Sequence, residues 1–314
     1  LVVVDKTTKK ILGDQTVKLL TKAGYNVKNI IISSPTMKEV KRVQRTVEKH
    51  STDFLLGVGG GSVVDVSKLA AYTTSKPFIS VPTVASHDGL ASPQASLKKS
   101  NGSVSKKAVA PLAILADTSV IQHAPHRMLA SGCADVISNL SAIKDWELAH
   151  RLKNEEFSTY AAALSKTAAS LLLENADIIK PHTEEAAWIA VKGMIVSGVA
   201  MSVAGNSRPA SGAEHMFSHV LDKIVPGRAM HGEQCGVGAI MMMYLHGGDW
   251  EEIKDALKKI GAPTTSKELR IPKRKIVEAL TLAHKIRPER YTILGEGGLT
   301  KDAAKVIAKK TGVI

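Results

Sequence analysis

Short β-rich runs alternate with helical patterns over the first 120 residues, and this alternation limits the possible folds more than any other feature. Strands that alternate with helices at this spacing form βαβ units, whose strands pair in parallel. The predicted strands are 2–4, 27–33, 54–58, 78–81 and 114–116, and the predicted helices are 9–22, 37–49 and the segment after Gly61. The first part of the chain is therefore predicted to be α/β, with a mostly parallel sheet.

Long helical patterns replace this alternation after about residue 122. Glycine and proline separate them, as expected at helix ends. The predicted helices are 126–149, 154–175, 183–203, 210–223, 232–246, 249–260, 272–286 and 300–311. The one candidate strand in this half is Tyr291–Leu294. We therefore predict an α/β domain at residues 1–122 and an all-α domain at residues 123–314.

The composition is that of a globular protein. Of the 314 residues, 44% are hydrophobic and 23% are charged, which excludes a low-complexity or disordered chain. Cys133 and Cys235 are too few for a disulfide framework and are predicted to be reduced thiols. Without a signal peptide or an apolar run long enough to cross a membrane, we expect a cytoplasmic protein. Because the sequence begins without Met and directly in a strand, we also expect some chain upstream of Leu1.

The formal net charge of +13 raises the possibility of nucleic-acid binding, which requires a focused basic patch. The densest basic segment, residues 98–107, carries its lysines on both sides of Asn101-Gly102, a dipeptide typical of an exposed hairpin turn. Trp, Tyr and Phe together number only 12, which leaves few side chains for base stacking. We expect no nucleic-acid partner and no membrane insertion. Solvated charge, or attraction of an anionic substrate, explains the excess better.

A glycine-rich turn, Gly59-Gly60-Gly61-Ser62, follows the third predicted strand and leads into a helix. Glycines let main chain approach a ligand closely, and the first N–H groups of a helix favour a phosphate. The turn matches neither the G-x-x-x-x-G-K-[ST] loop nor the usual dinucleotide fingerprint after a first strand. By itself it also fits a tight turn without a ligand.

The loop after the fourth predicted strand, residues 80–92, carries hydroxyl groups together with His87 and Asp88. Ligands of parallel sheets bind at the carboxyl ends of the strands, so we expect this loop and the glycine turn to share one edge. The alternative is a polar turn that caps a helix.

A set of potential metal ligands lies in the helical half. His215 and His219 are four residues apart, which places both imidazoles on one helix face, and His231 follows shortly after. Asp135 lies in an apolar segment, where a buried carboxylate needs a partner. Imidazoles with one carboxylate suit Zn²⁺ or Fe²⁺ with an open position for substrate. Each histidine alone is more typical of an ordinary core or surface position than of a metal ligand.

Five motifs occur in one order over essentially the whole chain. They are Gly59-Gly60-Gly61-Ser62 with Asp65 and Lys68, Pro82-Thr83-x-x-Ser86-x-Asp88, Gly132-x-x-Asp135, Gly212-x-x-His215-x-x-x-His219, and His231-Gly232-Glu233. The series resembles the superfamily of glycerol dehydrogenases, iron-containing alcohol dehydrogenases and dehydroquinate synthases. Within it, residues 86–89 and 211–215 are most similar to the archaeal sn-glycerol-1-phosphate dehydrogenases. The resemblance implies a dehydroquinate synthase-like fold, with a Rossmann-like domain followed by an all-α domain.

The resemblance also implies the functional residues. Those expected to bind NAD or NADP are Gly59, Gly60, Gly61, Ser62, Val63, Val64, Asp65, Thr83, Val84, Ala85, Ser86 and Ser92. The expected ligands of one Zn²⁺ per chain are Asp135, His215 and His231. The expected substrate contacts are Asp88, Asp135 and His219, of which Asp135 and His219 are also implied to be catalytic.

The implied reaction is the NAD(P)H-dependent reduction of dihydroxyacetone phosphate to sn-glycerol 1-phosphate, for archaeal membrane phospholipid synthesis. The resemblance implies zinc as the Lewis acid, hydride from the nicotinamide, and a proton route for which His219 is one candidate. Arg208, Lys144 and Arg127 are candidates for the substrate phosphate, although lone cations are also typical of a protein surface. We expect a homo-oligomer.

The sequence alone does not exclude three other functions. A polyol dehydrogenase would act on an unphosphorylated substrate, and a dehydroquinate synthase-like lyase would show more Lys and Arg in its central helices. A basic binding protein that has lost catalysis would lack part of the metal set. The segment Asp5-Lys6-Thr7-Thr8 is compatible with either NAD or NADP, since Asp5 suits a ribose hydroxyl and Lys6 suits a 2′-phosphate.

Overall fold

A computed structural model describes residues 1–99 and 102–314. Five parallel strands form a sheet in the order β2-β1-β3-β4-β7, and β5 and β6 pair as a separate antiparallel hairpin. The strands are β1 Val2–Val4, β2 Asn29–Ile31, β3 Leu55–Gly59, β4 Phe78–Pro82, β5 Gln94–Lys99, β6 Gly102–Lys107 and β7 Ala113–Ile114. The predicted parallel sheet is confirmed.

Helices connect the strands and then form the rest of the chain. In the α/β part they are α1 Lys6–Thr8, α2 Asp14–Lys22, α3 Met37–Lys49 and α4 Gly61–Thr73. In the remainder they are α5 Thr118–Ile121, α6 His126–Ile137, α7 Asn139–Lys153, α8 Thr159–Glu174, α9 Glu184–Ala204, α10 Ala213–Ile224, α11 His231–Leu245, α12 Trp250–Ile260, α13 Lys273–Leu282 and α14 Lys301–Lys310. The predicted all-α remainder is confirmed, whereas the domain boundary at residue 122 stays a prediction.

The sheet is covered on both faces, as apolar parallel strands require. Val40, Val43 and Val47 of α3 pack on one face with residues of α4. Leu12 and Val17 pack on the other face. Burial on both faces explains the continuous apolar run of β1.

The strand register brings two loops to one edge of the sheet. β3 and β4 pair from Leu55 opposite Phe78 to Gly59 opposite Pro82, so both strands end together. The chain runs from β1 outward to β2 on one side, whereas β3 lies on the other side, so the order of winding reverses between β1 and β3. Ligands of such sheets bind at this reversal.

The first helical segment begins earlier than the predicted residue 9. Asp5 ends β1 and caps α1, since its Oδ1 accepts hydrogen bonds of 2.8 Å from the N–H groups of both Thr7 and Thr8. A π-helical turn, Lys9–Gly13, then joins α1 to α2. The apolar pattern misses this start because the cap residues are polar.

The predicted strand Tyr291–Leu294 is wrong. This segment forms a turn, in which the N–H of Ile293 donates to Asp145 Oδ1 at 2.6 Å. The N–H of Leu294 donates to Thr292 Oγ1 at 3.4 Å. Side-chain oxygens thus accept hydrogen bonds from the N–H groups that would otherwise pair with a neighbouring strand.

Two other predictions differ in detail. The pattern at 126–149 is two helices, α6 and α7, which join at Ser138. In the hairpin, Gly102 begins β6, whereas the other half of the predicted Asn101-Gly102 turn lies outside the described residues.

Helix α9 is long and apolar enough to cross a membrane by length and composition, but 61% of its most apolar stretch is buried in the protein. Ala186, Ala190 and Met194 on this helix belong to the main core of the helical part. A single helix of this kind is weak evidence for a membrane span, because the core helix of a soluble protein has the same properties.

Candidate active site

One cleft of about 550 Å³ lies between the carboxyl edge of the sheet and the helical part. The α/β wall includes Asp5, Gly60, Gly61, Ser62, Asp65, Val84, Ser86, His87, Asp88 and Ser92. The helical wall includes Ser131, Asp135, Ser207, Ser211, His215, His219, His231 and Arg287. Its volume is typical of a site for a small molecule or cofactor.

The glycine turn forms a concave main-chain surface in this cleft. Gly60 is extended and Gly61 begins α4, so the first N–H groups of the helix have no partner within it. A Cβ at Gly61 would lie 1.9 Å from His87 Nε2, and a Cβ at Gly60 would lie 3.2 Å from Val84. The absence of a side chain at Gly61 therefore makes room for the His87 ring, and both glycines line the cleft with main chain alone. Such a helix start suits a phosphate group.

The side chain of His87 points its outer nitrogen at this surface. Its Nδ1 accepts a hydrogen bond of 2.9 Å from the N–H of Gly89, so in the neutral ring Nε2 carries the proton. Nε2 faces Gly61 and can donate to an anion there. Sequence reasoning gave His87 no role, although its place next to Asp88 was the available signal.

Some of the predicted cofactor residues do not expose a side chain. Val63, Val64 and Ala85 are buried in the core. Thr83 is also buried, and Gly59 makes room for Val63 and Thr8, so neither offers more than main chain to a ligand.

A buried lysine fixes the loop that carries Asp88. Lys68 Nζ donates to the carbonyl oxygens of Gly89 and Ser92 at 2.6 and 3.2 Å, and lies 3.3 Å from Asp65 Oδ1. Burial lowers the pKa of Lys68, while Asp65 favours its charged form. Asp65 therefore acts through Lys68 to hold the loop against α4.

The predicted metal ligands come together on three helices. Asp135 of α6 lies with its Oδ1 3.6 Å from Nε2 of His215 on α10 and 3.7 Å from Nε2 of His231 on α11. In the described part of the chain, Asp135 Oδ1 is buried without a hydrogen-bond partner. A buried carboxylate oxygen left in this way is costly unless a cation binds it. The donor set fits Zn²⁺ or Fe²⁺.

Hydrogen bonds on the far side of each ring orient both imidazoles. His215 Nδ1 donates to Glu214 Oε1 at 2.9 Å, which leaves the lone pair of Nε2 toward Asp135. Ser218 donates its hydroxyl hydrogen to Gln234 Oε1 at 2.7 Å, so its oxygen accepts from His231 Nδ1 at 3.1 Å. Both Nε2 atoms therefore point lone pairs at the same place. Such outer partners commonly fix metal-binding histidines.

The two rings differ in their affinity for protons. Burial alone would lower the pKa of His215, but the hydrogen bond and charge of Glu214 outweigh it, and the pKa is raised. Burial lowers the pKa of His231 to about 4, so its imidazole is neutral at pH 7. Glu214 received no role from the sequence, although it directly precedes His215.

Cys235 adds a fourth potential donor that sequence reasoning missed. Its Sγ lies 3.6 Å from His231 Nε2, and one donor atom from each of Asp135, His215, His231 and Cys235 fits within 4.8 Å. Burial raises the pKa of the thiol well above its ordinary value, so Cys235 lies in the cluster as a neutral thiol. The signal was its position four residues after His231 on one helix.

His219 lies beside the donor cluster and not in it. Its ring stacks on His231 with the ring centroids 5.9 Å apart, and Arg287 Nη2 is 3.5 Å from its Nε2. Burial and then the nearby positive groups lower the pKa of His219 well below its ordinary value. It is therefore a neutral imidazole at pH 7.

Asp88 approaches the donor cluster from the α/β wall. Its N–H donates to Asp135 Oδ2 at 3.3 Å, and its Oδ2 accepts from Ser197 Oγ at 2.7 Å. Burial and then the charge of Asp135 raise the pKa of Asp88 to about 6. The carboxylates of Asp88 and Asp135 thus form a polar region between the glycine turn and the histidines.

Two of the phosphate candidates are already paired. Arg208 is buried and forms a two-pronged ion pair with Glu155, its Nε lying 2.6 Å from Oε1. Arg127 pairs in the same way with Glu233, at 2.5 and 2.7 Å. Neither Arg208, Arg127 nor Lys144 lines the cleft. Arg287, which does, was not among the candidates.

Comparisons with known proteins agree with this geometry. A family model described as iron-containing alcohol dehydrogenase matches residues 1–125. The chain is 56% identical over 314 residues to the glycerol-1-phosphate dehydrogenase (NAD(P)+) of Methanococcoides burtonii, an alignment that covers 100% of this chain and 88% of that protein.

Solved structures share the fold. Glycerol dehydrogenase from Schizosaccharomyces pombe superposes with a TM-score of 0.79 at 22% identity, over 99% of this chain and 83% of that one. Sulfoacetaldehyde reductase from Bifidobacterium kashiwanohense, solved in complex with NAD+, superposes with a TM-score of 0.75 at 19% identity, over 99% and 90%. The fold class predicted from the sequence is confirmed.

Proposed function

The chain belongs to the glycerol-1-phosphate dehydrogenase family, and on that premise we propose that it reduces dihydroxyacetone phosphate to sn-glycerol 1-phosphate with NADH or NADPH, for membrane phospholipid synthesis. One observation carries the proposal. The glycine turn at Gly60–Gly61 and the donor cluster at Asp135, His215 and His231 face a single cleft, in which Asp88 lies between them. A dehydrogenase that uses both a dinucleotide and a metal needs this arrangement.

The α/β wall would hold the cofactor. The N–H groups at the start of α4 and the Nε2–H of His87 would be donors for its pyrophosphate, and Gly60 and Gly61 would present main chain to it with no Cβ in between. Ser62, Ser86 and Ser92 add small polar side chains to the same wall. A bound NAD(P)H supplies the hydride.

The helical wall would hold the metal through Asp135, His215 and His231. A bound Zn²⁺ supplies Lewis acidity toward a ketone oxygen. Glu214 and Ser218 keep the two imidazoles in the tautomer that presents Nε2 to the donor cluster. These outer contacts orient the ligands before the metal binds.

Asp88 and His219 would bind and orient the substrate. At pH 7 most of Asp88 is ionised, since its pKa is raised only to about 6, and it can accept a hydrogen bond from a substrate hydroxyl. His219 is neutral, and it lies beside Arg287, a group that can only donate. We therefore assign His219 to substrate binding and proton relay. Its lowered pKa argues against a stored proton at neutral pH.

A homo-oligomeric state and a cytoplasmic location are further parts of the proposal. Leu112 and Leu115 are 75% and 57% exposed beside β7, an edge strand of the sheet, which would suit an interface between copies. Sedimentation velocity tests this point, and a monomer at micromolar concentration would contradict it.

The experiment is NADH and NADPH oxidation by the zinc-loaded protein with dihydroxyacetone phosphate or dihydroxyacetone. We expect kcat/KM to favour the phosphate ester by about 100-fold or more, because charge-assisted contacts to a phosphate are strong. Equal rates would instead indicate a polyol dehydrogenase. If the zinc-loaded protein shows no activity with either substrate, the proposal is contradicted.

A further inference from the structure

A cluster of three arginines lies behind the donor cluster, with fewer acidic partners than it needs. Arg208, Arg287 and Arg290 are close enough to disfavour one another's charge, Glu155 is paired with Arg208, and Glu214, whose charge favours Arg287 and Arg290, is already hydrogen-bonded to His215. Glu289 is exposed and forms no ion pair in the described part of the chain. Excess positive charge in a partly buried place is costly unless an anion binds there.

Arg287 is the member of this cluster that reaches the cleft. Among the described residues, its one side-chain hydrogen bond is the 3.5 Å contact from Nη2 to His219 Nε2, which leaves most of its donors unused. Burial, and then the charge of Arg208, lowers the pKa of Arg287, although Glu289 and Glu214 act in the opposite direction. A guanidinium with spare donors and uncompensated charge suits an oxyanion that it can bind through two hydrogen bonds.

Arg290 shapes the cleft beside Arg287. Its Nη2 donates to Ser207 Oγ at 3.0 Å, and its Nη1 donates to the carbonyl oxygen of Ser211. Because Arg290 uses a lone pair of Ser207 Oγ, the hydroxyl hydrogen of Ser207 is free to point at a ligand. Ser207 and Ser211 both line the cleft. Arg287 and Ser207 therefore offer two kinds of donor on one wall.

The other cations are less suitable. Arg208 and Arg127 are held by Glu155 and Glu233, and Lys68 is enclosed by two carbonyl oxygens and Asp65. Lys98 lines the cleft but lies on the exposed hairpin, near Asp222. Arg287 differs from all of these because a single imidazole, that of His219, separates it from His231.

We propose that Arg287, with the hydroxyl of Ser207, binds the phosphate group of the substrate and gives the enzyme its preference for a phosphorylated triose. This inference rests on the proposed function and adds the residue that decides the substrate class. The phosphate monoester is a dianion, and it would neutralise the charge excess of the arginine cluster. The reacting carbons would then lie on the other side of His219, toward the donor cluster.

The test compares Arg287→Gln and Arg287→Lys with the unchanged enzyme, all zinc-loaded and with matched zinc content. In Arg287→Gln, we expect kcat/KM for dihydroxyacetone phosphate to fall by about 10- to 100-fold, the effect of losing charge-assisted hydrogen bonds. The value for dihydroxyacetone should change by less than about threefold. Arg287→Lys should recover part of the loss, because it keeps the charge without the planar fork. Arg274→Gln, an exposed change of the same charge on α13, is the control.

Equal losses on both substrates would overturn the inference, since Arg287 would then act through His219 or through the fold. An unchanged Arg287→Gln enzyme would also overturn it and leave the proposed function standing.

Inorganic phosphate provides a readout that is independent of turnover. We expect it to bind the zinc-loaded protein in competition with dihydroxyacetone phosphate, and to bind Arg287→Gln at least about tenfold more weakly by calorimetry. If the unchanged protein reduces neither triose, the proposed function fails, and phosphate binding lost in Arg287→Gln would still support the anion site. Equal phosphate binding by the two proteins would contradict it.

Discussion

The α/β wall of the cleft combines main chain of the glycine turn with side chains of the neighbouring loop, whereas the helical wall is built from side chains of helices far apart in the sequence. Gly60 and Gly61 work by having no side chains, and their N–H groups are positioned by one strand and one helix. Asp135, His215 and His231 work only through their side chains, which further buried polar groups orient. The first wall should therefore be sensitive to added bulk and the second to lost donors.

Removing one donor from the helical wall should have the largest effect. In His215→Ala, we expect loss of bound zinc and a fall in kcat of more than about 1,000-fold, because Asp135, His231 and the protonated thiol of Cys235 would hold the ion poorly. Zinc content by elemental analysis and NADH binding, both on the purified protein, check this. NADH binding should persist, since the other wall is unchanged. Zinc close to one per chain would show that His215 is not a ligand, and exposed His123→Ala is the control.

Adding one methyl group to the α/β wall should weaken cofactor binding and leave zinc binding unchanged. In Gly61→Ala, the new Cβ would meet His87 Nε2 at 1.9 Å and fill part of the glycine surface. We expect the KM for NADH or NADPH to rise about 10- to 100-fold at unchanged zinc content, because close main-chain approach to the pyrophosphate is lost. Gly297→Ala, where a Cβ meets nothing within 4 Å, is the control. An unchanged KM would remove the glycine turn from the cofactor site.

The support of the metal ligands should matter less than the ligands themselves. In Glu214→Gln, we expect zinc affinity to fall by about 10- to 100-fold, because Glu214 orients His215 and raises its basicity. Competition with a chelator measures this affinity, and excess zinc should restore most of the activity. Exposed Glu147→Gln should bind zinc normally. Unaltered zinc affinity in Glu214→Gln would show that the hydrogen bond does not support the metal.

The smallest of the four effects is expected for His219, which lies beside the donor cluster. His219→Ala should keep its zinc and raise the KM for dihydroxyacetone phosphate by about tenfold, the order of one hydrogen bond to a charged group. Steady-state kinetics and zinc content, measured together, separate the two roles. Loss of zinc in this variant would show that His219 is itself a metal ligand.

The same contrast explains what the sequence could predict. The helix at 37–49 and the strand at 2–4 have the bounds that the apolar pattern predicts, since each buries a regular face. The strand predicted at 291–294 fails because Asp145, a residue far away in the sequence, binds its main chain. Local pattern carries no information on such a partner.

Local sequence pattern is limited in the same way as a guide to the site. Spacing and residue type grouped Asp135, His215 and His231 with His219 as potential ligands, whereas the exact set came from the motif series, and its convergence needs three packed helices. Arg287 was missed because nothing in its neighbourhood along the chain distinguishes it from Arg208 or Arg127. What distinguishes it is that no carboxylate in the described part of the chain forms an ion pair with it. The functional meaning of a cation thus depends on the charges that the fold leaves around it.

The most direct test of one shared site is the handedness of its product. If the cofactor and the metal face a single triose phosphate from opposite walls, hydride reaches one face of the ketone and the product is a single enantiomer, which the proposed function identifies as sn-glycerol 1-phosphate. Product formed from dihydroxyacetone phosphate can be treated with an enzyme that oxidises only sn-glycerol 3-phosphate. We predict that it resists this oxidation completely. Product that is wholly consumed would be sn-glycerol 3-phosphate and would contradict the proposed function, and product consumed by half would be a racemate and would contradict a single oriented site.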